Sequence, residues 1–222
     1  MRIYYVRHGQ TDWNKRLLLQ GGTNIPLNET GRASALQTGR ALAEVSFDLC
    51  ISSPLDRAME TAALILSENH APRGSADWPS GTRTERNGVR FFTDERLREY
   101  CFGVWEGQCF KGPGKTIPIG NYPDFWSDEK DRYTPEGAEP KQKFYARVRS
   151  ILDELNELFG KTDANILVVA HGGVSRAVRY VLTCDPKQAA ANTRNCEALV
   201  LTPNDEGQLF IAEQIYIGED VG

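Results

Sequence analysis

The chain has 222 residues, with 26 Lys and Arg against 30 Asp and Glu, which gives a formal net charge of -4 when histidine is counted as neutral. Its residues are 40% hydrophobic and 25% charged, which is typical of a globular protein and too apolar for a disordered chain. The length suits one decorated domain over residues 1–222, and the acidic balance argues against nucleic acid, which selects basic surfaces.

The sequence also bears on membranes and on cysteine chemistry. No apolar run approaches the ~20 residues of a membrane span, and the apolar core of the N-terminus is too short for a signal peptide. The five cysteines are widely spaced and include no Cys-x-x-Cys pair, which disfavours a zinc ribbon and a thioredoxin-type site. We therefore expect free thiols, a cytoplasmic location and no contact with a membrane.

The first half of the chain is predicted to alternate strands with helices. The predicted elements are a strand at Ile3–Val6, a helix at Gly31–Val45, a strand at Asp48–Ile51 and a helix after Ser53. This last helix is expected to begin at a capping box, in which Ser53 and Asp56 flank Pro54 at the first helical position. Residues 71–92 contain several prolines and glycines, which predict an exposed loop-rich insertion that ends in a short strand near Val89–Thr93.

The second half contains the strongest helical pattern, which follows another loop-rich insertion at about 109–140. The predicted elements are a helix at Pro140–Phe159 closed by Gly160, a strand at Ile166–Ala170, a helix to about Leu182, and a hairpin of Ala198–Thr202 with Gln208–Ile217. Strands that alternate with helices predict an α/β three-layer sandwich, with a mainly parallel central sheet and helices on both faces.

Cationic and imidazole side chains follow three of the predicted parallel strands. Arg7 and His8 come after the first strand, Arg57 follows the second, and His171 follows the last parallel strand. Ligands of such sheets bind beyond the carboxyl ends of the strands, so we expect these side chains to meet at one edge. Glu99 arrives there from a further loop.

These residue types suit the transfer of a phosphoryl group. The guanidiniums of Arg7 and Arg57 match phosphate oxygens, and a neutral imidazole such as His8 can attack phosphorus and carry the group covalently. Glu99 can protonate the leaving oxygen. The sequence has no Asp and Glu cluster with metal-like spacing, so the cations would take the place of magnesium. Each residue alone has an ordinary structural explanation; their joint placement favours catalysis.

Four ordered motifs resemble those of the histidine phosphatase superfamily, the phosphoglycerate mutase-like proteins. They are Arg7-His8-Gly9-Gln10-Thr11 with Asn14, Ser52-Ser53-Pro54-Leu55-Asp56-Arg57-Ala58-Met59-Glu60-Thr61-Ala62, Leu97-x-Glu99-x-x-Phe102-Gly103-x-Trp105-Glu106-Gly107, and Ala170-His171-Gly172-Gly173. A further segment, Leu19-Gln20-Gly21 with Pro26-Leu27-Asn28, is similar to the second segment of the family. The likeness covers nearly the whole chain.

The resemblance implies that His8 becomes a phosphohistidine, and that Glu99 first protonates the leaving group and then activates water. It implies a small phosphorylated substrate and neither a metal nor an organic cofactor. The residues it implies for the phosphate pocket are Arg7, His8, Asn14, Gln20, Arg57, Glu99, His171 and Gly172.

Several alternatives stay open at this point. The Phe-Gly-x-Trp-Glu-Gly form after Glu99 resembles the phosphatase branches, so a phosphomonoesterase is favoured over a cofactor-dependent phosphoglycerate mutase. A non-catalytic phospho-ligand binding module is disfavoured, because both His8 and Glu99 are present. Gly137-Ala138-Glu139 departs from the more usual Gly-Glu-Ser, which leaves the substrate contacts of that loop open. A homodimer also stays open, with the terminal hairpin as a candidate edge.

Overall fold

The computed structural model describes residues 1–71, 76–79, 81–120, 122–128 and 132–216. Its strands are β1 (Arg2–Arg7), β2 (Leu49–Ser52), β3 (Thr82–Arg86), β4 (Val89–Thr93), β5 (Asn165–Ala170), β6 (Ala198–Pro203) and β7 (Leu209–Ile215). They form one sheet in the order β3-β4-β2-β5-β1-β6-β7.

The described ranges also contain seven α-helices and two short 3-10 turns. The helices are α1 (Asp12–Lys15), α2 (Glu29–Ala41), α3 (Asp56–Ser67), α4 (Tyr122–Ser127), α5 (Lys141–Phe159), α6 (Gly172–Thr183) and α7 (Pro186–Ala190). The 3-10 turns, at Glu95–Leu97 and Gly103–Trp105, flank the segment that carries Glu99. None of the described helices has the length and apolar character that would let it cross a membrane.

The sheet is parallel at its centre and antiparallel at its edges. The neighbours β4, β2, β5 and β1 are parallel, whereas β3 pairs antiparallel with β4, and β6 and β7 extend the sheet antiparallel beyond β1. The predicted α/β class is confirmed, although the parallel part is confined to four strands. Because these four run the same way, the residues that follow β1, β2 and β5 meet at one edge.

Alternating side chains of the central strands divide the interior into two cores, one on each face of the sheet. Ile3 and Tyr5 of β1 pack in the core that α5 and α6 cover, whereas Tyr4 and Val6 pack in the core that α3 covers. Successive side chains of a strand point to opposite faces, so a strand covered on both sides must be apolar throughout. Both faces are thus covered by helices, which makes the predicted three-layer sandwich.

The loop after β1 is held against the start of α2 by two glycines. A Cβ atom on Gly31 would lie 2.1 Å from Gln10 O, and one on Gly9 would lie 2.5 Å from Gly31 O. Contacts this short exclude any side chain. The loop that carries His8 therefore rests directly on the backbone of α2.

The predicted capping box at Ser53 is wrong. The helix α3 begins at Asp56, its N-cap is Leu55, and no side chain caps it. Ser53 Oγ instead lies 2.7 Å from His171 Nε2 and accepts a hydrogen bond from Leu55 N at 3.3 Å. The Ser53 hydroxyl thus contacts His171 and Leu55 at the sheet edge and does not cap the helix.

Both predicted loop-rich insertions contain regular structure. Within 71–92, β3 and β4 form a hairpin whose turn residues, Asn87 and Gly88, have φ angles of 46° and 75°. An Asn-Gly pair favours such a two-residue turn, and this signal outweighs the surrounding prolines and glycines. Within 109–140, α4 buries Phe125 and Trp126 in the core beside α5 and α6.

The ends of the other predicted elements shift by a few residues. The helix predicted over 31–45 is α2, which begins at Glu29 because Asn28 caps it, and ends at Ala41. The long helix begins at Lys141, with Pro140 as its N-cap. The terminal hairpin forms from β6 and β7, and the predicted end of its second strand at Ile217 lies outside the described residues.

Candidate active site

The structure brings the predicted residues Arg7, His8, Arg57, Glu99 and His171 together at the carboxyl edge of the sheet. The imidazole ring centroids of His8 and His171 lie 5.1 Å apart, and both rings are buried. The charges of Arg7, Arg57 and Glu99 are close enough to act on one another. This cluster joins residues from four separate segments of the chain.

His8 is held in one orientation and one protonation state. Its Nδ1 lies 2.7 Å from Gly9 O, so Nδ1 carries the proton and Nε2 keeps its lone pair. Its backbone N donates to Ala170 O at 2.9 Å, and Asn195 Nδ2 donates to His8 O at 2.8 Å. Burial, and then the positive charges of Arg57 and Arg7, hold the pKa of His8 well below its usual range. The imidazole is therefore neutral at neutral pH and can act as a nucleophile.

His171 follows β5 and is the N-cap of α6. Its Nε2 lies 2.7 Å from Ser53 Oγ, and the hydroxyl of Tyr5 donates to His171 O at 2.6 Å. Burial, and then the charge of Arg57, keep the pKa of His171 well below its usual range, so this ring is also neutral. When the Ser53 hydroxyl donates to Nε2, the ring proton sits on Nδ1, which is buried and has no acceptor within the described part of the chain.

The two arginines are anchored by backbone carbonyls rather than by carboxylates. Arg57 donates from Nη1 to Thr23 O and from Nη2 to Gly21 O, both at 2.8 Å, and Arg7 donates from Nη1 to Thr193 O at 2.6 Å. Burial lowers the pKa of Arg57 to about 10, which leaves it charged at neutral pH. The Nε atom of each arginine is buried and meets no acceptor among the described residues.

Three buried side-chain nitrogens of the cluster have no hydrogen-bond partner in the described structure: Arg7 Nε, Arg57 Nε and His171 Nδ1, and the last is a donor in the tautomer whose Nε2 accepts from the Ser53 hydroxyl. A buried donor without a partner costs free energy, so native proteins rarely leave several together without a function. Two of the three belong to cations. The arrangement fits an anion with several oxygens, such as a phosphoryl group.

Glu99 and the start of α6 are fitted to each other through two glycines. Glu99 Oε1 accepts from Tyr100 N at 2.8 Å, and Oε2 accepts from Gly173 N at 3.1 Å. A Cβ atom on Gly173 would lie 2.2 Å from Glu99 Oε1, and one on Gly172 would lie 3.2 Å from the guanidinium carbon of Arg7. The two glycines leave the space that the carboxylate and the guanidinium occupy.

Asn14 and Gln20, the two predicted lining residues, both bind Thr11 in the loop after His8. Asn14 Oδ1 accepts from Thr11 N at 3.1 Å, and Gln20 Oε1 lies 3.0 Å from Thr11 Oγ1. Asn14 Oδ1 also lies 3.4 Å from Nδ2 of Asn195, the amide that donates to His8 O. Both side chains thus lie beside the His8 loop and help to hold it.

Glu106 organises the loop that anchors Arg57, and the sequence reasoning missed this role. Its carboxylate accepts from Gly22 N at 3.0 Å, from Thr23 N at 3.2 Å and from Thr23 Oγ1 at 2.7 Å. Gly21 has a φ of 52°, and a Cβ atom there would lie 1.9 Å from Glu106 Oε1. The Trp-Glu-Gly motif contains Glu106, but the motif alone does not say which loop the carboxylate binds.

Glu139 and Arg147 hold the segment before Glu99. Arg147 of α5 pairs with both carboxylate oxygens of Glu139 at 2.8 Å. Its guanidinium also donates to three carbonyl oxygens, those of Arg96 at 2.6 Å, Arg98 at 2.7 Å and Glu99 at 3.1 Å. Glu139 belongs to the segment whose sequence departs from the family pattern. In the structure its carboxylate binds Arg147, which in turn holds the segment that carries Glu99.

The described ranges hold no group of three His, Cys, Asp or Glu side chains arranged as metal ligands. The positive charge of the site comes from Arg7 and Arg57. The charge of Arg176 on α6 also acts on Arg7, and its guanidinium lies 5.7 Å from the ring centroid of Tyr122. Tyr122 is half-buried, and the loss of water around its hydroxyl raises the pKa of this group to about 12.

We predict that His8 stays neutral and protonated on Nδ1 at about pH 5.5, where most histidines of an unfolded chain, with a pKa of ~6.5, are charged. A lowered pKa keeps the neutral form as the pH falls. Two-bond proton–nitrogen correlation spectra of the imidazoles measure both the charge and the tautomer, and His8→Asn assigns the signal. An imidazolium spectrum for His8 at this pH would contradict the electrostatics described here.

Comparison with known proteins places the chain in a family. Residues 3–75 and 82–213 match the sequence profile of the histidine phosphatase superfamily (branch 1). The chain is 31% identical to the uncharacterized phosphatase PhoE of Bacillus subtilis, over 79% of this chain and 74% of that one. It is 32% identical to the adenosylcobalamin/alpha-ribazole phosphatase of Escherichia coli, over 78% and 75%.

A solved structure agrees with the sequence relatives. The mycobacterial glucosyl-3-phosphoglycerate phosphatase matches with a TM-score of 0.71 at 25% identity, covering 90% of this chain and 92% of that one. The matched residues include every strand of the central sheet except the first residue of β1 and the last two residues of β7. On the profile, the relatives and the fold together, the chain belongs to branch 1 of the histidine phosphatase superfamily.

Proposed function

We propose that the chain is a phosphomonoesterase that hydrolyses a small phosphorylated metabolite through a phosphohistidine on His8. The observation that carries this proposal is the neutral imidazole of His8, protonated on Nδ1, in one cluster with two buried guanidinium N–H groups and the His171 Nδ1 atom, none of which has a partner among the described residues. The names of several relatives as phosphatases support hydrolysis.

The first half of the reaction moves the phosphoryl group to the enzyme. Its oxygens take the free N–H groups of Arg7, Arg57 and His171, and the two guanidiniums offset the charge that builds on them. His8 Nε2 attacks phosphorus, so an N–P bond forms while the P–O bond to the leaving group breaks. Glu99 enters this step as the carboxylic acid and gives its proton to the leaving oxygen, which departs as an alcohol.

The second half returns the enzyme to its starting state. A water molecule attacks the phosphorus of the phosphohistidine, and the Glu99 carboxylate takes a proton from it. The N–P bond breaks, inorganic phosphate is released, and His8 recovers its neutral form. The hydrogen bond from Nδ1 to Gly9 O keeps Nε2 directed to the same place in both steps.

We also propose a setting for this activity: one domain over residues 1–222, in the cytoplasm, acting without a metal ion, an organic cofactor, nucleic acid or a membrane. The five cysteines are all free, as suits a reducing compartment. The arginines would supply the charge that magnesium supplies in other phosphoryl-transfer sites. A net charge of -4 suits small phosphoesters, because a single phosphoryl group needs only a few cations in one cleft.

The competing function is a phosphoglycerate mutase, in which another hydroxyl of the substrate takes the phosphoryl group back from His8. Isomerisation of 3-phosphoglycerate with a bisphosphoglycerate primer, measured beside hydrolysis of p-nitrophenyl phosphate, separates the two. We expect hydrolysis to dominate. Strong isomerisation with negligible hydrolysis would overturn the phosphatase proposal, and phosphate binding without either turnover would indicate a non-catalytic module.

His8→Ala is expected to lower kcat at least about 1,000-fold and to abolish the phosphoenzyme, because no other group then attacks phosphorus. Rapid quenching after mixing with radiolabelled substrate should give acid-labile, alkali-stable label in the wild type only. His70→Ala is the matched control, since His70 is exposed and remote from the cluster. Label retained by His8→Ala would mean a different nucleophile.

Glu99→Gln is expected to slow an alkyl phosphate about 100-fold and an activated aryl phosphate less than about tenfold, because a good leaving group needs little protonation. The measurement compares kcat for phosphoserine and p-nitrophenyl phosphate. Glu95→Gln, at an exposed carboxylate, should leave both rates unchanged. Equal losses on both substrates in Glu99→Gln would remove Glu99 from the role of proton donor.

A further inference from the structure

The strand β3 forms one outer edge of the sheet, and all five of its residues are exposed. Its inner side pairs with β4, while its outer side meets no other strand in the described ranges. An edge of this kind presents unpaired amide and carbonyl groups that can pair with a second chain.

The turn at Asn87-Gly88 determines which backbone N–H and C=O groups of β3 point toward β4. In a hairpin with a two-residue turn, the residues that flank the turn exchange hydrogen bonds, and the pattern then alternates along the strand. Arg86, Thr84 and Thr82 therefore direct their backbone groups to β4. Those of Arg83 and Glu85 point outward, and Glu85 O has only a contact of 3.3 Å with Arg86 Nη1 among the described residues.

This outer edge is complementary to a second copy of itself. When two β3 strands pair antiparallel about Thr84, Arg83 of one copy lies opposite Glu85 of the other, and the reverse pair forms across the two-fold axis. The backbone N–H and C=O groups of these two residues are the ones that point outward from β3. The hydrogen-bonding pattern and the pairing of opposite charges therefore favour the same register. Neither Arg83 nor Glu85 makes an ion pair with the described residues of its own chain.

A groove of about 510 Å³ runs beside this edge, between α3 and the hairpin. Apolar atoms of Met59, Ala63 and Phe91 line it, together with the side chains of Thr82 and Thr84. Opposite residues of paired strands point to the same face, so Thr84 of each copy would lie beside Thr84 of the other at the open side of the two grooves. The grooves would thus join across the two-fold axis.

We propose that two copies of the chain form a symmetric dimer by antiparallel pairing of β3 with β3 of the second copy, in the register that places Arg83 opposite Glu85. The two sheets then become one continuous sheet. A contact of one short strand with an adjoining groove is small, so we expect a dissociation constant in the micromolar range, ~1–100 µM. The residues of the phosphoryl site lie on other strands and loops, so each copy keeps its own site.

Sedimentation velocity between about 1 and 200 µM tests the proposal, because this range spans the expected dissociation constant. The wild type should shift from monomer to dimer across it. Arg83→Glu places two carboxylates opposite each other, and Glu85→Arg places two guanidiniums opposite each other. Each should raise the dissociation constant about tenfold or more, because the like-charge pair occurs twice. The double reversal of both residues should restore the dimer.

Two controls test whether a loss of dimer comes from the β3 interface, rather than from unfolding of the chain or from the opposite edge of the sheet. Arg83→Glu leaves the cross-strand pair of Glu85 with Arg90 unchanged, and its thermal unfolding and hydrolysis rate should match the wild type. Glu213→Arg reverses a charge on β7, the opposite edge strand, and should leave the dimer intact. A wild type that stays monomeric, single reversals without effect, a double reversal that does not restore pairing, or a dimer broken by Glu213→Arg would each overturn the proposal.

Discussion

The hydrogen bond from His8 Nδ1 to Gly9 O is the interaction on which the rest of the site depends. It leaves the lone pair on Nε2, and the surrounding burial and cations keep the ring neutral. A protonated His8 could not attack phosphorus, and the opposite tautomer would present a proton instead of a lone pair. The close packing of Gly9 on Gly31 fixes the carbonyl that accepts this bond.

The cations that lower the pKa of His8 are also the groups that bind the phosphoryl anion in the proposed reaction. Arg7 and Arg57 are held by carbonyl oxygens, so no carboxylate neutralises them through a direct ion pair among the described residues. Their charge stays available for a phosphoryl group while the protein still satisfies part of their hydrogen bonding. An acidic chain can therefore hold a small and strongly positive cleft.

The sequence predicted the fold class and the five central residues, since each follows a recognisable strand or motif. Arg7, His8 and His171 could be placed at one edge because parallel strands end together. It could not predict that Ser53 binds His171 instead of capping α3, since the same hydroxyl suits both partners and only the tertiary structure decides between them. The sequence could not show the role of Glu106 for a similar reason, because the loop that its carboxylate binds lies more than eighty residues away.

The ion pair of Arg147 with Glu139 gives the long helix α5 a second role besides covering the sheet. Arg147 lies over the ring of the buried Phe144, 4.6 Å from its centroid, and reaches from there to the carbonyl of Glu99. The position of Glu99, the proposed proton donor, is thus set by contacts with a helix of the core. A change in core volume near Phe144 would shift Glu99 relative to His8, so the proposed proton transfer depends on how well the interior of the protein is packed.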